Sequence, residues 1–453
     1  MAGHIHAGLW SANSWLHIDL PPALQDLGIG LVPLPVDSPQ ALLRHYVHTA
    51  HLQTLICDAA RADLARSWMP DLPVVELEPG MDAAAIRHRL MLMPACAATG
   101  ACVAPPRILF SSGTSGRPRA VLRAADSDQY RIHQFIERFG LHRGLRHIVA
   151  GPLYHSGPAI FALTHHLLGC EVQLLERFSA GLLLDRLAST RERTFTLFLV
   201  PTQVRLLEHE RIARAMPWSV YDSVARLWVA GSRFDADLKQ LFARQLAPET
   251  IWEFYGATET GTISIQSQAH MRAKPEAVGQ PVAGVAIQVR TAEGRTLPAG
   301  SVGRLWVRSP MNAYEVRGDT PLECDSDGYI CLGDSGWLDA DGDLFLAGRE
   351  ADMMISGGVN VYPAQVEDAL RELPQVADAL AYGVPDPLWG QRVEALMIPR
   401  GNPTEVSRVL EALRSSLPAA ARPRHLRWVA ELPRTASGKP DRLAARKLAE
   451  NVL

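Results

Sequence analysis

The chain has 453 residues, 47% of them hydrophobic and 21% charged, with a formal net charge of −3. Its length predicts roughly three domain-sized units, and its composition fits a globular protein with a large core. Near-neutrality argues against nucleic acid or an anionic membrane surface as the main partner.

Residues 1–105 alternate apolar segments (27–36, 52–57, 72–77) with helix-like stretches such as 38–49, the βα rhythm of a layered sheet. Met1 to Leu20 lacks a basic-then-apolar signal pattern. No run reaches the ~18 apolar residues that a membrane span requires. Arg107-Ile108-Leu109-Phe110 reads as a buried strand leading into Ser111-Ser112-Gly113-Thr114-Ser115-Gly116-Arg117-Pro118-Arg119. Two glycines, four hydroxyls and two cations within nine residues suit an anion nest, because glycine lets successive N–H groups converge. The spacing is not that of a Walker A loop, and the same residues also make ordinary surface turns.

Strands are predicted at 146–150, 196–200 and 224–230, an apolar helix at 159–168 and another after Pro201. Residues 278–346 read as a small β-rich subdomain with Gly/Pro turns. After Arg349 comes a compact α+β unit. Val366, Leu370 and Leu373 share one helical face behind Pro363, and Val406, Leu410, Leu413 and Leu417 share another. Strand-like runs at 379–384, 393–398 and 426–429 surround them.

Several clusters carry chemistry. Tyr255-Gly256-Ala257-Thr258-Glu259 follows a strand-like run and offers a ring for stacking, a hydroxyl for phosphate and a carboxylate for a hard cation. Asp334 can accept both hydroxyls of a ribose, and Arg349 can donate to them. Each of these pieces, taken singly, is also compatible with a solvated loop or a surface ion pair. His155, in Pro152-Leu153-Tyr154-His155-Ser156-Gly157, is compatible with a satisfied core histidine. Lys439 sits on a Gly-containing loop near the end, where a terminal lysine is ordinarily solvated. The six cysteines, at 57, 96, 102, 170, 324 and 331, show no Cys-x-x-Cys spacing and read as reduced thiols of a cytoplasmic protein. The 16 histidines show no ligand pattern, so a metal cluster made by protein alone is not expected.

In combination these motifs resemble the adenylate-forming (ANL) superfamily, in particular its AMP-dependent acyl- and aryl-CoA synthetases, over about residues 27–450. The serine-glycine stretch is similar to that family's phosphate loop, with Arg119 where lysine is usual. Some fifty residues usually precede the Gly28–Leu34 stretch beyond those present here, which implies a shortened edge of the first sheet; what covers it is left open, a homodimer contact being one way. The resemblance implies an α/β fold. A large N-terminal domain at 1–349, including the β-rich subdomain, would be followed by a hinge at 350–352 centred on Ala351 and a mobile lid at 353–453.

It also implies roles. Ser112, Gly113, Thr114, Ser115, Gly116, Arg119, Tyr255, Gly256, Ala257, Thr258, Asp334 and Arg349 would bind ATP, and Glu259 would hold Mg²⁺. His155, Ser156, Gly157, Gly231, Ser232 and Ala257 would form the acid pocket, with His155 at its carboxylate end. Gly357 and Gly358 would line a pantetheine tunnel, and Lys439 would be the adenylation lysine. The segment 151–161 contains no acidic residue, which argues against an α-amino acid substrate. The implied activity is acyl-adenylate formation from a small carboxylic acid and MgATP, followed by transfer to CoA. Loading of a phosphopantetheine carrier, delivery to another nucleophile, and a catalytically inactive binding protein are the alternatives.

Overall fold

Apolar runs buried on both faces organise the first part of the chain, as a parallel sheet covered by helices requires. In the computed structural model the described residues are 5–25, 27–78, 81–91, 104–111, 118–319, 321–357, 359–435 and 439–450. They fall into two units. One takes 1–275, 279–286 and 307–330, and the other 276–278, 287–306 and 331–453. The fold is α/β, with several sheets.

The first unit is built on a seven-stranded sheet. Its order is Gln280–Pro281, Gly261–Ser267, Ile251–Ala257, Val224–Val229, Phe195–Leu199, Arg146–Val149, Glu171–Leu174. The last five run parallel, and Gly261–Ser267 returns antiparallel to Ile251–Ala257. The period of two along a strand explains why these runs are apolar throughout. Phe195, Leu197 and Leu199 pack with Leu183, Leu187, Val204 and Phe242, whereas Phe198 packs with Phe135, Phe139, Phe161, Trp228 and Phe254. At the carboxyl edge, where open parallel sheets gather ligand-binding loops, the strands ending at Val149, Val229 and Ala257 lead into the candidate residues.

A four-stranded parallel sheet lies earlier in the chain, ordered Ile29–Pro33, Ile5–Trp10, Thr54–Asp58, Val74–Leu77. Its interior strand Ile5–Trp10 was not anticipated from the sequence. The run Ile-His-Ala-Gly-Leu-Trp has little strand propensity, and burial of all six residues between neighbours imposes the conformation. A separate hairpin pairs Arg107–Ser111 with Arg119–Arg123, placing Ser111 opposite Arg119, and Glu315–Arg317 adds a third strand. The two ends of the serine-glycine loop are therefore held side by side. Residues 112–117 themselves lie outside the described residues.

In the second unit, strands at 287–290, 303–306 and 331–338 lie side by side, and Leu344–Arg349 pairs with the last. A further sheet runs Val359–Val361, Met354–Ser356, Gly390–Pro399, Val376–Asp386, with His425–Trp428 against Gly390–Pro399. Helices Pro363–Arg371 and Val406–Ala412 cover it through Val366, Leu370 and Val409. The second helix stops at Ala412, shorter than its apolar spacing indicates, and the turns after it still deliver Leu413 and Leu417 to the core. Among the described residues no helix is long and apolar enough to cross a membrane. Cys57, Cys170, Cys324 and Cys331 are free thiols, while Cys96 and Cys102 lie outside the described residues.

Candidate active site

Glu259 occupies the three-residue turn between Ile251–Ala257 and Gly261–Ser267, with Thr258 beside it. The turn is pinned from outside, because the Ala313 N–H donates to the Glu259 carbonyl at 2.7 Å. Two donors from the hairpin converge on one carboxylate oxygen. Ser111 Oγ lies 2.9 Å and Arg119 Nη2 2.8 Å from Glu259 Oε1. Glu259 is only 6% exposed, so a bare carboxylate there would be costly, and the guanidinium offsets its charge. A cation thus already neutralises the carboxylate. As a hard oxygen donor on a fixed turn, Glu259 fits a Mg²⁺ ligand. Tyr255, Gly256 and Ala257 form the last positions of the strand leading to it.

His155 precedes helix Ser156–Leu167 in an extended conformation, its N–H donating to the Pro152 carbonyl at 3.1 Å. Ser156 and Gly157 form the first turn of that helix, and Gly231 and Ser232 follow the strand Val224–Val229. All four, with Ala257, belong to the first unit near the carboxyl edge of the seven-stranded sheet.

In the second unit Asp334 and Arg349 face each other across paired strands, and Arg349 Nε lies 3.1 Å from Asp334 Oδ1. Ala351 is exposed in the short 3-10 turn Glu350–Asp352, where Glu350 pairs with Arg304 at 2.9 Å. Gly357 has φ +58°, and a Cβ there would lie 2.7 Å from the Trp389 ring, so only glycine fits. Its N–H donates to the Trp389 carbonyl at 2.9 Å. This contact forms part of a cavity of about 570 Å³ that Met353, Ile355, Leu388 and Gln391 also line. The Arg424 guanidinium lies 4.4 Å from the centroid of Trp389. Lys439 closes a tight loop, its N–H donating to Thr435 Oγ1 at 3.2 Å and its carbonyl accepting from the Thr435 N–H at 2.8 Å. Gly358 and residues 436–438 lie outside the described residues.

A family model for AMP-binding enzymes matches residues 5–315, and one for the AMP-binding enzyme C-terminal domain matches 365–439. The chain belongs to the family of AMP-binding enzymes. This AMP-binding enzyme is 29% identical to a feruloyl-CoA synthase of Amycolatopsis sp over 427 residues, 86% of this chain and 85% of that protein. It is 30% identical over 348 residues to an indoleacetate–CoA ligase of Aromatoleum aromaticum, 74% of this chain but 65% of that one. The fold matches ATP-bound MatB from Rhodopseudomonas palustris with a TM-score of 0.85 at 23% identity, covering 100% of this chain and 90% of that one. Its kinship makes it an ATP-dependent, AMP-forming ligase.

Three residues of this AMP-binding enzyme escaped the reading of its sequence. Ser111 opens the serine-glycine stretch but was given no role of its own, and its bond to Glu259 spans 148 positions. Arg424 carries no motif of its own. Arg131 left a visible trace, since it shares one helical face with Phe135 and Phe139, where an apolar residue is the rule.

Proposed function

We propose that this enzyme joins a small carboxylic acid to the thiol of CoA through an acyl-adenylate. The substrate's carboxylate oxygen attacks the α-phosphorus of ATP and pyrophosphate leaves. The thiol sulfur then attacks the acyl carbonyl, AMP leaves, and the thiol proton passes to solvent. Side chains do little covalent work here, so alignment and charge stabilisation supply the rate.

The observation that carries this reading is the buried carboxylate of Glu259 with Arg119 and Ser111 on the same oxygen. With MgATP bound, Glu259 would hold the metal, which screens the phosphate charge, and Arg119 would turn to the β- and γ-phosphates together with Ser112, Gly113, Thr114, Ser115 and Gly116. Tyr255, Gly256, Ala257 and Thr258 would border the adenine and α-phosphate, and Asp334 with Arg349 would take the ribose hydroxyls. Lys439 would stabilise charge at the α-phosphate, and His155 would orient the reacting carboxylate. A backbone rotation at Ala351 would then exchange Lys439 for Gly357 and Gly358 between the half-reactions.

The cavity beside Gly357 favours CoA as acceptor. A narrow glycine passage suits the pantetheine arm, and an arginine over an indole offers both stacking and a phosphate partner to a nucleotide end. The free thiols at 57, 170, 324 and 331 suit a reducing cytoplasm.

The test is acid-dependent pyrophosphate release over a panel of carboxylic acids, with products identified after adding CoA or a holo-carrier protein. A CoA thioester is the expected product. Pyrophosphate release with only a carrier thioester, or with an amide after adding amines, would move the acceptor. No release with any acid would overturn the reading.

A further inference from the structure

Helix Ser127–Phe139 turns Arg131, Phe135 and Phe139 toward the interior. Arg131 is 7% exposed, and its Nη1 donates to Ser156 Oγ at 3.0 Å. Ser156 begins the helix that carries Gly157 and follows His155, so Arg131 stands beside the residues assigned to the acid. The floor there is aromatic. A Cβ on Gly157 would lie 2.5 Å from Phe198 Cζ, so the ring fills the space directly beneath the helix start. Phe161 stacks on Phe198 at 5.2 Å and on Trp228 at 4.3 Å, and Phe135 stacks on Phe161 at 4.9 Å.

The charge on this wall does not balance. Asp128 receives Arg107 on one oxygen at 2.7 Å and Arg123 on the other at 3.2 Å. Among the described residues Arg131 has only the neutral hydroxyl of Ser156 as a side-chain hydrogen-bond acceptor. Among the described residues, three neighbouring guanidiniums thus face one carboxylate, which pairs directly with two of them. The buried Nε atoms of Arg107, Arg123 and Arg131, with Nη1 of Arg123, lack hydrogen-bond partners among the described residues. Burial, with Arg123 adding repulsion, pushes Arg131 down to about 9, whereas an incoming anion would favour its charged form. Buried donors left without acceptors are costly, which is a reason to look for the acceptor that completes them.

We infer that the acid pocket takes a short carboxylic acid bearing a second anionic group, which Arg131 receives above the Phe198 floor. This rests on the ligase reading. It makes Arg131 and Phe198 the specificity-determining residues, one for the distal charge and one for length.

The experiment compares matched acids, butyrate with succinate and pentanoate with glutarate, by hydroxylamine trapping with MgATP. The expected result is kcat/KM at least about 100-fold higher for the dicarboxylate of each pair, because a site built for a polar group discriminates strongly against its absence. Arg131→Met should remove that preference, chiefly through KM for the dicarboxylate, and Arg131→Lys should restore part of it. Phe198→Ala should move the optimum to longer dicarboxylates such as adipate. Melting curves show whether each variant is folded, and the wild-type preference can be read even if Arg131→Met is not. Preference for monocarboxylates, or an unchanged ratio in a folded Arg131→Met, would overturn the inference and leave the ligase reading intact. Sulfate or chloride that raises the melting temperature as much as succinate, without dicarboxylate preference in turnover, would mark a structural anion and also overturn it. Absence of turnover with every acid would overturn both.

Discussion

Glu259 and Trp389 sit in opposite surroundings. The carboxylate is 6% exposed and tied by two donors from another hairpin, whereas the indole borders an open cavity beside Leu388, which is 82% exposed. The first region is electrostatically organised before any ligand arrives, and such preorganisation stabilises developing charge most effectively in a dry site. The second offers only a passage and a flat surface, which suffices when the incoming nucleophile brings its own reactive sulfur. On the proposed reading, the two half-reactions would thus make different demands, one on charge and the other on shape.

The contrast extends to stability, and the largest predicted effect tests it there. The buried histidines His6, His17, His147 and His165 all belong to the first unit. Burial lowers His17 to about 4 and His165 to about 4, and it pulls His147 well below the usual range, with stacked His165 adding to the effect. The unfolded chain binds these protons near pH 6.5, so the stability they confer is complete above that pH and is lost as pH falls toward 4. His17 and His165 should each cost roughly 3 kcal/mol by pH 4. Acid titration followed by hydrogen exchange should open the first unit before the second, and simultaneous opening would contradict the assignment.

Next in size is Lys439→Ala. Pyrophosphate release should fall by about 10²–10³-fold, the usual loss on removing one charge-stabilising group. Thioester formation from supplied acyl-adenylate should stay within a few-fold, and equal losses in both assays would erase the division of labour. Gly357→Val should do the reverse, slowing thioester formation about 100-fold by forcing a side chain at positive φ against Trp389 while sparing pyrophosphate release. The smallest change is expected for Trp389→Ala, about a tenfold rise in KM for CoA from lost stacking. An unchanged KM would place the nucleotide end of CoA elsewhere.

Much of this organisation was legible in the sequence, because parallel strands covered on both sides must be apolar and because chemistry at loops needs particular residue types. The strands around Ile148, Leu197 and Leu227, and the turn carrying Glu259, are of this kind. What stayed hidden depends on tertiary context. Ile5–Trp10 becomes a strand only because neighbours bury it on both sides. Ser111 and Glu259 meet because a hairpin and a separate turn converge, which spacing does not encode. Arg424 meets Trp389 through the parallel pairing of His425–Trp428 with Gly390–Pro399, 35 positions apart in the chain.

On the proposed reading, the bond between Arg119 and Glu259 would couple loop anchoring to occupancy. Arg119 is the first strand residue after the serine-glycine stretch, so the cation that latches the turn is also the stretch's own root. A nucleotide that drew Arg119 onto its phosphates would undo the latch, and a departing pyrophosphate would let it fasten again. Counter-ion exchange at a single carboxylate would then report, along one strand, whether the triphosphate end of the site is filled.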